Sequence, residues 1–289
     1  MHTLRARRAA AAVLGLGILA LAPQHAADAN WEGALSSPTN FYARWTNVPD
    51  FDQRRLNLPA NGAMYCVPTA YMNWIAYIAH HGFPGVNPPG DHTIYYWHSD
   101  TPFINMTGWL YDLGLLMETD ENNGTKGNKA AEGFVEWMNG KGFPYFIYRY
   151  SVSDTFTPRH GHISDWTLAK CPVVMGVGWY SRNALPPNFP QGLDLIVREG
   201  GHGVTLVSVA RSGNDREVGI RDPASDNSGQ PFGIAFQSPA TTEHYAFEAE
   251  QVYLDGYGIR IMDKIADYGS GWFDGYTAIV PLSVLTTVD

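Results

Sequence analysis

Cys66 and His202 have the side-chain chemistry for nucleophilic acyl transfer, provided that the fold brings them together. Apolar residues follow Cys66 at spacings of three and four as far as Ile78, which predicts an amphipathic helix that begins at Cys66. Pro68 suits the first turn, because the N–H group that proline lacks would have no helical partner there. A helix N-terminus favours negative charge, so we expect the Cys66 thiol to ionise more readily than a free thiol.

A thiolate needs an imidazole to act as an acyl-transfer nucleophile, and His202 fits this role. It stands between Gly201 and Gly203 at the predicted start of an apolar strand, where substrate or backbone can approach closely. The turn Ser212–Asp215 predicts a hairpin, so Asp222 at the end of the next strand is expected near His202, offset by a few residues. A carboxylate there would accept the imidazole N–H and hold the correct tautomer.

Each of these residues also has a purely structural interpretation. A histidine beside glycine is most often a strand-end residue, and Asp-Pro most often marks a turn. Asp226 and Asn227 are alternative orienting groups, and His160 or His162 is the alternative base, although no acidic hairpin partner follows those two histidines. No pair of histidines has zinc-site spacing with further ligands nearby, so neither a metal nor an organic cofactor is expected.

The chain contains only two cysteines, Cys66 and Cys171. In an exported protein two cysteines can form a disulfide, and this pairing is the structural alternative to a reactive thiol. Cys171 stands at the entrance of an apolar strand predicted at 173–178, where a lone cysteine behaves as a small apolar residue. One cysteine at a helix start and one at a strand entrance favour a free nucleophile at Cys66.

These residues and two further motifs resemble the papain-fold cysteine peptidases related to the bacteriocin-processing (double-glycine leader) peptidases. That family has Val-Pro…Gln, then Cys-Gly-Pro with Thr or Ser opening a helix, a Pro-Val-Ile strand, Gly-Gly-His before an apolar strand, and Asp-Pro ending the next strand. In this sequence the matching residues are, in the same order, Val48-Pro49…Gln53, Cys66-Val67-Pro68-Thr69, Pro172-Val173-Val174, Gly200-Gly201-His202 and Asp222-Pro223. The resemblance covers about residues 45–225.

The resemblance implies roles for four residues. Cys66 is the expected nucleophile, His202 the base and later the acid, and Asp222 the group that orients the imidazole. Gln53 corresponds to the glutamine whose side-chain amide forms the oxyanion hole with the Cys66 backbone N–H. Val67 stands where the family usually has glycine, and its bulk is expected to narrow the site or reduce activity. The family's transporter domains are not expected here, so a double-glycine leader substrate is not implied.

Residues 1–29 have the pattern of a removable secretion signal, with a basic start, an apolar run at 9–22 and the small-residue site Ala27-Asp28-Ala29. The mature chain is therefore expected to begin near Asn30 and to be secreted or periplasmic. The formal net charge is −9, or −11 without residues 1–29, which argues against nucleic acid or an anionic membrane surface as a partner. No later segment has the length and apolarity for membrane insertion. The expected partner is a peptide or protein substrate.

Helices first and strands afterwards indicate an α+β fold, with a helical lobe carrying the cysteine packed on an antiparallel sheet carrying the histidine and the aspartate. Residues 30–289 are expected to form one papain-like domain, with an extended arm at 30–61 and a β-rich C-terminal extension at 226–289. Besides the helix at Cys66, the sequence predicts helices at 106–116, 128–139 and 165–170 and strands at 143–150, 173–178, 203–210, 217–221, 251–253, 258–263 and 277–280.

The sequence thus predicts an exported cysteine peptidase that hydrolyses peptide bonds through a Cys-His-Asp triad and a thioester intermediate. Two alternatives stay open at this point. The same triad could transfer the acyl group to an amine or cut a cell-wall peptide, because a thioester does not specify what resolves it. The chain could instead be an inactive papain-fold binding module, with Val67 as the mark of lost activity. The sequence predicts no oligomeric state.

Overall fold

The computed structural model describes residues 31–46, 48–86, 100–151, 159–184, 194–224, 243–244, 250–254, 272–283 and 285. The expected secretion signal, the alternative residues Asp226 and Asn227, and the strand expected at 258–263 lie outside the described residues. Helices in the described part are α1 Cys66–His80, α2 Asp100–Leu116, α3 Gly127–Met138 and α4 His160–Leu168. Its strands are β1 Trp31–Ser37, β2 Asn40–Trp45, β3 Asp50–Phe51, β4 Tyr145–Ser151, β5 Val173–Ala184, β6 Asp194–Ser212, β7 Asp215–Arg221, β8 Glu243–His244, β9 Glu250–Leu254 and β10 Trp272–Pro281.

An antiparallel sheet is built around the long strand β6. One edge of β6 pairs first with β5 and then with β2, and its other edge pairs with β7 from Thr205 to Ser212. Strands β10 and β4 extend the sheet beyond β5, β1 extends it beyond β2, and β9 extends it beyond β7. The chain is therefore a mixed protein of helices and antiparallel sheet, as predicted. Strand β6 is longer than the predicted 203–210 because it has pairing partners along its whole length.

The segment predicted as an extended arm at 30–61 contributes strands to the sheets. Strands β1 and β2 form a hairpin, and β2 pairs with β6, so this part of the segment belongs to the main sheet. The indole N–H of Trp31 also donates to the Thr167 carbonyl of α4 at 3.2 Å. Further along, β3 pairs with β8 in a second, two-stranded sheet.

Helix α1 is buried on nearly all sides, so the predicted single apolar face was incomplete. Only Val67 and His80 of its 15 residues are not buried. One side packs against β6, and the indole N–H of Trp74 donates to the Val173 carbonyl at 2.9 Å. The other side contacts α2 and α3. Helix α1 therefore forms the centre of the larger hydrophobic core.

Helix α4 packs in a second core with residues of β5, β6 and β7. The sequence predicted this helix at 165–170 with Ser164 as its cap, and both points are wrong. The helix begins at His160 after the N-cap Arg159, and the Ser164 hydroxyl donates to the His160 carbonyl at 2.7 Å from inside the helix. None of the helices that the structure describes combines the length and the apolar composition needed to cross a membrane.

Candidate active site

Cys66 is the first residue of α1, as predicted, and only 9% of it is exposed. The three consecutive residues Ala60, Asn61 and Gly62, shortly before it, have φ angles of 47°, 52° and 76°. This left-handed conformation costs about 1–2 kcal/mol per residue for residues other than glycine. A strained left-handed turn therefore lies shortly before the N-terminus of α1, where the Cys66 thiol is located.

His202 and Asp222 form a buried pair at the hairpin of β6 and β7. Thr205 pairs with Arg221, and this register puts Asp222, the next residue, close to His202. The distance from His202 Nε2 to Asp222 Oδ1 is 2.5 Å, and the same oxygen accepts the Ala224 N–H at 3.0 Å. The carboxylate therefore fixes the orientation of the ring and leaves Nδ1 as the ring nitrogen for the thiol.

The Cys66 thiol contacts the His202 imidazole and two backbone N–H groups. The N–H groups of Val67 and Gly203 and the His202 side chain all hydrogen-bond to Sγ. Burial raises the pKa of Cys66, but the positive imidazole and these hydrogen bonds outweigh it, so the thiol pKa lies below its ordinary value. Burial lowers the pKa of His202, but the negative charges of Asp222 and Cys66 raise it by a larger amount. The net pKa of His202 therefore lies above its ordinary value. Both shifts favour a thiolate–imidazolium pair.

Val67, which departs from the family pattern, packs directly against Gly203 of β6. A Cβ atom on Gly203 would lie only 2.8 Å from Val67 Cγ2 and 3.1 Å from Val67 Cα. Because Gly203 has no side chain, the Val67 side chain can occupy the space next to it. Because the Val67 side chain fills this gap between α1 and β6, it does not separate Cys66 from His202.

Trp179 is a member of the site that sequence reasoning missed. Its ring lies beside the His202 ring, with 6.2 Å between centroids. Trp179 pairs with Gly200 across the β5–β6 ladder, and a Cβ atom on Gly200 would already contact the indole at 3.6 Å. The available signal was an aromatic residue directly after the strand predicted at 173–178. Only the register of the hairpin places that residue beside the imidazole.

A chain of buried polar groups, also missed, joins the segments that carry the site. Thr205 Oγ1 donates to the Ala70 carbonyl at 3.0 Å, and Asn73 Nδ2 donates to Thr205 Oγ1 at 2.9 Å. Asn73 Oδ1 accepts the Phe51 N–H at 3.1 Å. These bonds tie α1 to β6 and β3, and so hold the helix of Cys66 against the strand of His202. An asparagine within an otherwise apolar helix was the available signal.

Gln53 lies buried beside the left-handed turn, and its amide group is engaged there. Its Nε2 donates to the carbonyls of Gly62 and Ala63, at 3.0 Å each. The resemblance implied that this amide donates to an oxyanion. In the structure Nε2 faces these two carbonyl oxygens of the loop before Cys66.

The alternative histidines take part in the packing of α4. Burial lowers the pKa of His160 to about 4, and its Nε2 lies 3.1 Å from the Glu217 carbonyl oxygen. His162 Nδ1 accepts the Arg159 N–H at the helix N-terminus, at 3.2 Å. Among the residues that the structure describes, no group of three His, Cys, Asp or Glu side chains is arranged to hold a metal ion.

Cys171 is a free thiol, as is Cys66, so the disulfide alternative is wrong. Only 4% of Cys171 is exposed, and burial raises its pKa to about 12. Its Sγ contacts the Ala169 carbonyl oxygen at 3.6 Å. This thiol stays protonated at any pH near neutrality.

Comparisons with known proteins add a loose structural likeness. No family model and no curated protein sequence matches the chain. Among solved structures, xylellain, a cysteine protease from Xylella fastidiosa, aligns with 78% of this chain and 80% of its own, at 12% identity and a TM-score of 0.27. A superposition this loose does not indicate the fold or the activity of this chain.

Proposed function

We propose that this protein is an exported cysteine peptidase of the papain-like type, which hydrolyses peptide bonds through a thioester on Cys66. The observation that carries the proposal is the position of the His202 ring, which bonds to Asp222 through Nε2 and also to the Cys66 thiol. The lowered pKa of Cys66 and the raised pKa of His202 support it, because a buried thiol without a catalytic partner would have a raised pKa.

In the proposed reaction the Cys66 thiolate attacks the carbonyl carbon of the scissile amide, and an S–C bond forms. N–H groups at the start of α1 stabilise the negative oxygen of the tetrahedral intermediate. The His202 imidazolium then protonates the leaving nitrogen, and the C–N bond breaks to release an amine. Water attacks the thioester while His202 takes up its proton, which releases a carboxylic acid and restores the thiolate–imidazolium pair.

Asp222 keeps the His202 ring oriented and stabilises its positive charge through both protonation events. The active ion pair forms as pH rises through the lowered pKa of the thiol and disappears as pH rises through the raised pKa of the imidazole. Activity should therefore follow a bell-shaped pH profile whose two limbs belong to the coupled pair. Trp179, beside His202, forms part of the surroundings of this ion pair.

Export and substrate class are parts of the same proposal. The secretion pattern of residues 1–29 and the net charge of −9 fit a secreted or periplasmic enzyme that acts on peptides rather than on nucleic acid. The motif order resembles that of the bacteriocin-processing peptidases, and this likeness supports peptide hydrolysis without specifying the residues around the scissile bond.

The decisive experiment compares the wild type with Cys66→Ala on a library of internally quenched peptides. We expect cleavage by the wild type and none by the variant, while circular dichroism shows that the variant is folded. Cys171→Ala is the matched control, because it also removes a buried thiol and is expected to retain cleavage. Cleavage that persists in Cys66→Ala overturns the mechanism.

The same assays separate the alternative functions. Amine acceptors added to the reaction, and peptidoglycan offered in place of the peptides, report whether the thioester is resolved by an amine or drawn from a cell-wall peptide. An inactive binding module would instead show slow alkylation of Cys66, with a rate that rises only near the pKa of an ordinary thiol. That outcome would contradict the lowered pKa of Cys66.

A further inference from the structure

We propose that Gln53 is a positioning residue, which fixes the loop of the nucleophile against the turn that follows Asp222, and that it is not an oxyanion donor. The inference rests on the proposed function, because it assigns a role within the same site. Gln53 is 2% exposed and lies between these two segments, with contacts to both. Its side chain binds one segment and its backbone binds the other.

The side chain binds the loop before Cys66. Nε2 donates to the carbonyls of Gly62 and Ala63, both at 3.0 Å. In the reversed amide orientation Oε1 would face these two carbonyl oxygens, and three acceptors would meet without a donor. The two carbonyls therefore determine the orientation of the amide. In the described part of the chain, Oε1 is buried and has no hydrogen-bond partner. The amide therefore presents only an acceptor away from the loop, and an acceptor cannot stabilise an oxyanion.

The backbone of Gln53 binds the turn after Asp222 and also closes on Gly62. Its N–H donates to the Pro223 carbonyl at 3.0 Å, one residue beyond the carboxylate that holds His202. A Cβ atom on Gly62 would lie 1.7 Å from the Gln53 carbonyl oxygen, so the two backbones approach as closely as only glycine permits. Gln53 thus sets the distance between the Cys66 loop and the Asp222 turn.

The loop needs such a support because its backbone is strained. Ala60 and Asn61 hold positive φ angles, and the amide of Gln53 fixes the two carbonyls that follow them, those of Gly62 and Ala63. Strained backbone persists only where surrounding contacts over-determine it. Without the amide we expect the turn to relax and the Cys66 thiol to move away from His202, which would remove the charge that lowers its pKa.

The test uses two reactions that differ in whether an oxyanion forms. Iodoacetamide alkylates a thiolate by displacing iodide from carbon, without a tetrahedral oxyanion, whereas peptide hydrolysis passes through one. We expect Gln53→Met, which has similar length but no N–H, to slow both reactions together, on the order of 100-fold, the effect of a misplacement of about 1 Å. The pH profile of alkylation should also shift toward higher pH. An oxyanion donor would give a different result: hydrolysis slower by about 10²–10³ and alkylation unchanged, which overturns the inference.

Thr167→Val is the matched control for general destabilisation. Thr167 is equally buried, and its hydroxyl donates to the Ile163 carbonyl within α4, so the variant loses a buried hydrogen bond away from the site. We expect it to lower the melting temperature without moving the pH profile of alkylation. A shift of the profile in this control as large as that in Gln53→Met would contradict a specific role for Gln53.

If Gln53→Met does not fold, the wild type still decides the question. Hydrogen exchange of the Gln53 side-chain amide, followed by NMR in ¹⁵N-labelled protein, should show both protons protected, because both have buried carbonyl partners. One rapidly exchanging proton would mean a free donor and would overturn the inference. The alkylation comparison needs no peptide substrate, so wild-type protein that fails to hydrolyse peptides refutes the proposed function without deciding the role of Gln53.

Discussion

The two cysteines of this chain are both buried and both free, yet their surroundings give them opposite chemistry. Burial raises the pKa of each thiol. At Cys66 the charge and hydrogen bond of His202 reverse this effect, whereas at Cys171 no residue in the described part of the chain does so and the pKa rises to about 12. Removal from water alone therefore raises the pKa of a thiol, and a neighbouring cation decides which of the two buried thiols ionises more readily.

The secondary structure around each cysteine also contributes to the difference between the two thiol pKa values. Cys66 opens a helix, where the Val67 N–H has no partner within the helix and bonds to the Cys66 sulfur. The Gly203 N–H of β6 bonds to the same sulfur. Cys171 lies just before β5 and its own N–H donates to the Trp166 carbonyl. Its sulfur contacts an acceptor, the Ala169 carbonyl, at 3.6 Å, which offers nothing to a negative charge.

The largest expected effect comes from removing the cation with His202→Ala. Cys66 then keeps its burial and loses its partner, so its pKa should rise above the ordinary value, as it does at Cys171. Each unit of that rise lowers the thiolate fraction near neutral pH about tenfold, so we expect alkylation at pH 6.5 to slow by on the order of 100-fold. The pH dependence of the iodoacetamide rate measures this directly, and peptide hydrolysis should be lost.

Cys66→Ala is the blank for that measurement, because it shows how fast iodoacetamide reacts with Cys171 alone. If His202→Ala retains the alkylation profile of the wild type, the helix N-terminus is sufficient to activate the thiol. The comparison between the two cysteines would then rest on secondary structure rather than on charge.

A smaller and more selective change is expected from Asp222→Asn. The asparagine oxygen can still accept the His202 N–H and the Ala224 N–H, so the geometry is kept while the negative charge is lost. The Asp222 charge raises the pKa of His202, so its loss should lower that pKa, by about 1–3 units for a charge at hydrogen-bond distance. The imidazolium is then lost at lower pH, and the alkaline limb of the activity profile moves in that direction. An unmoved alkaline limb would show that Asp222 acts through orientation alone.

Local patterns carried much of what the sequence could predict about this site. Helical periodicity and Pro68 located the start of α1 at Cys66, and a short hairpin turn was enough to bring Asp222 toward His202. Each of these inferences depends on a few neighbouring residues. The strand and helix contacts that bury α1 on both sides depend on the whole chain, so a pattern along one helix showed only one apolar face.

The actual partners of Gln53 could not be predicted for a related reason. They depend on positive φ angles at Ala60 and Asn61, and alanine in particular gives no local sign of a left-handed turn. Trp179 depends on the register between β5 and β6, whose connection at 185–193 contains three prolines and is too long to set a register by itself. These features come from long-range packing.

The smallest expected effect is that of Cys171→Ala, and it tests the inert half of the comparison. Since the Cys171 thiol stays protonated near neutral pH, its loss should leave both the iodoacetamide rate of Cys66 and peptide hydrolysis unchanged. The variant loses one sulfur atom from a buried position, so we expect a destabilisation of about 1 kcal/mol, or about 2–4 °C in melting temperature. Thermal melts and mass-spectrometric mapping of the alkylated cysteine measure both quantities. Rapid alkylation mapped to Cys171 in the wild type would show that its burial does not protect it, and that the charge of His202 is not what distinguishes the two thiols.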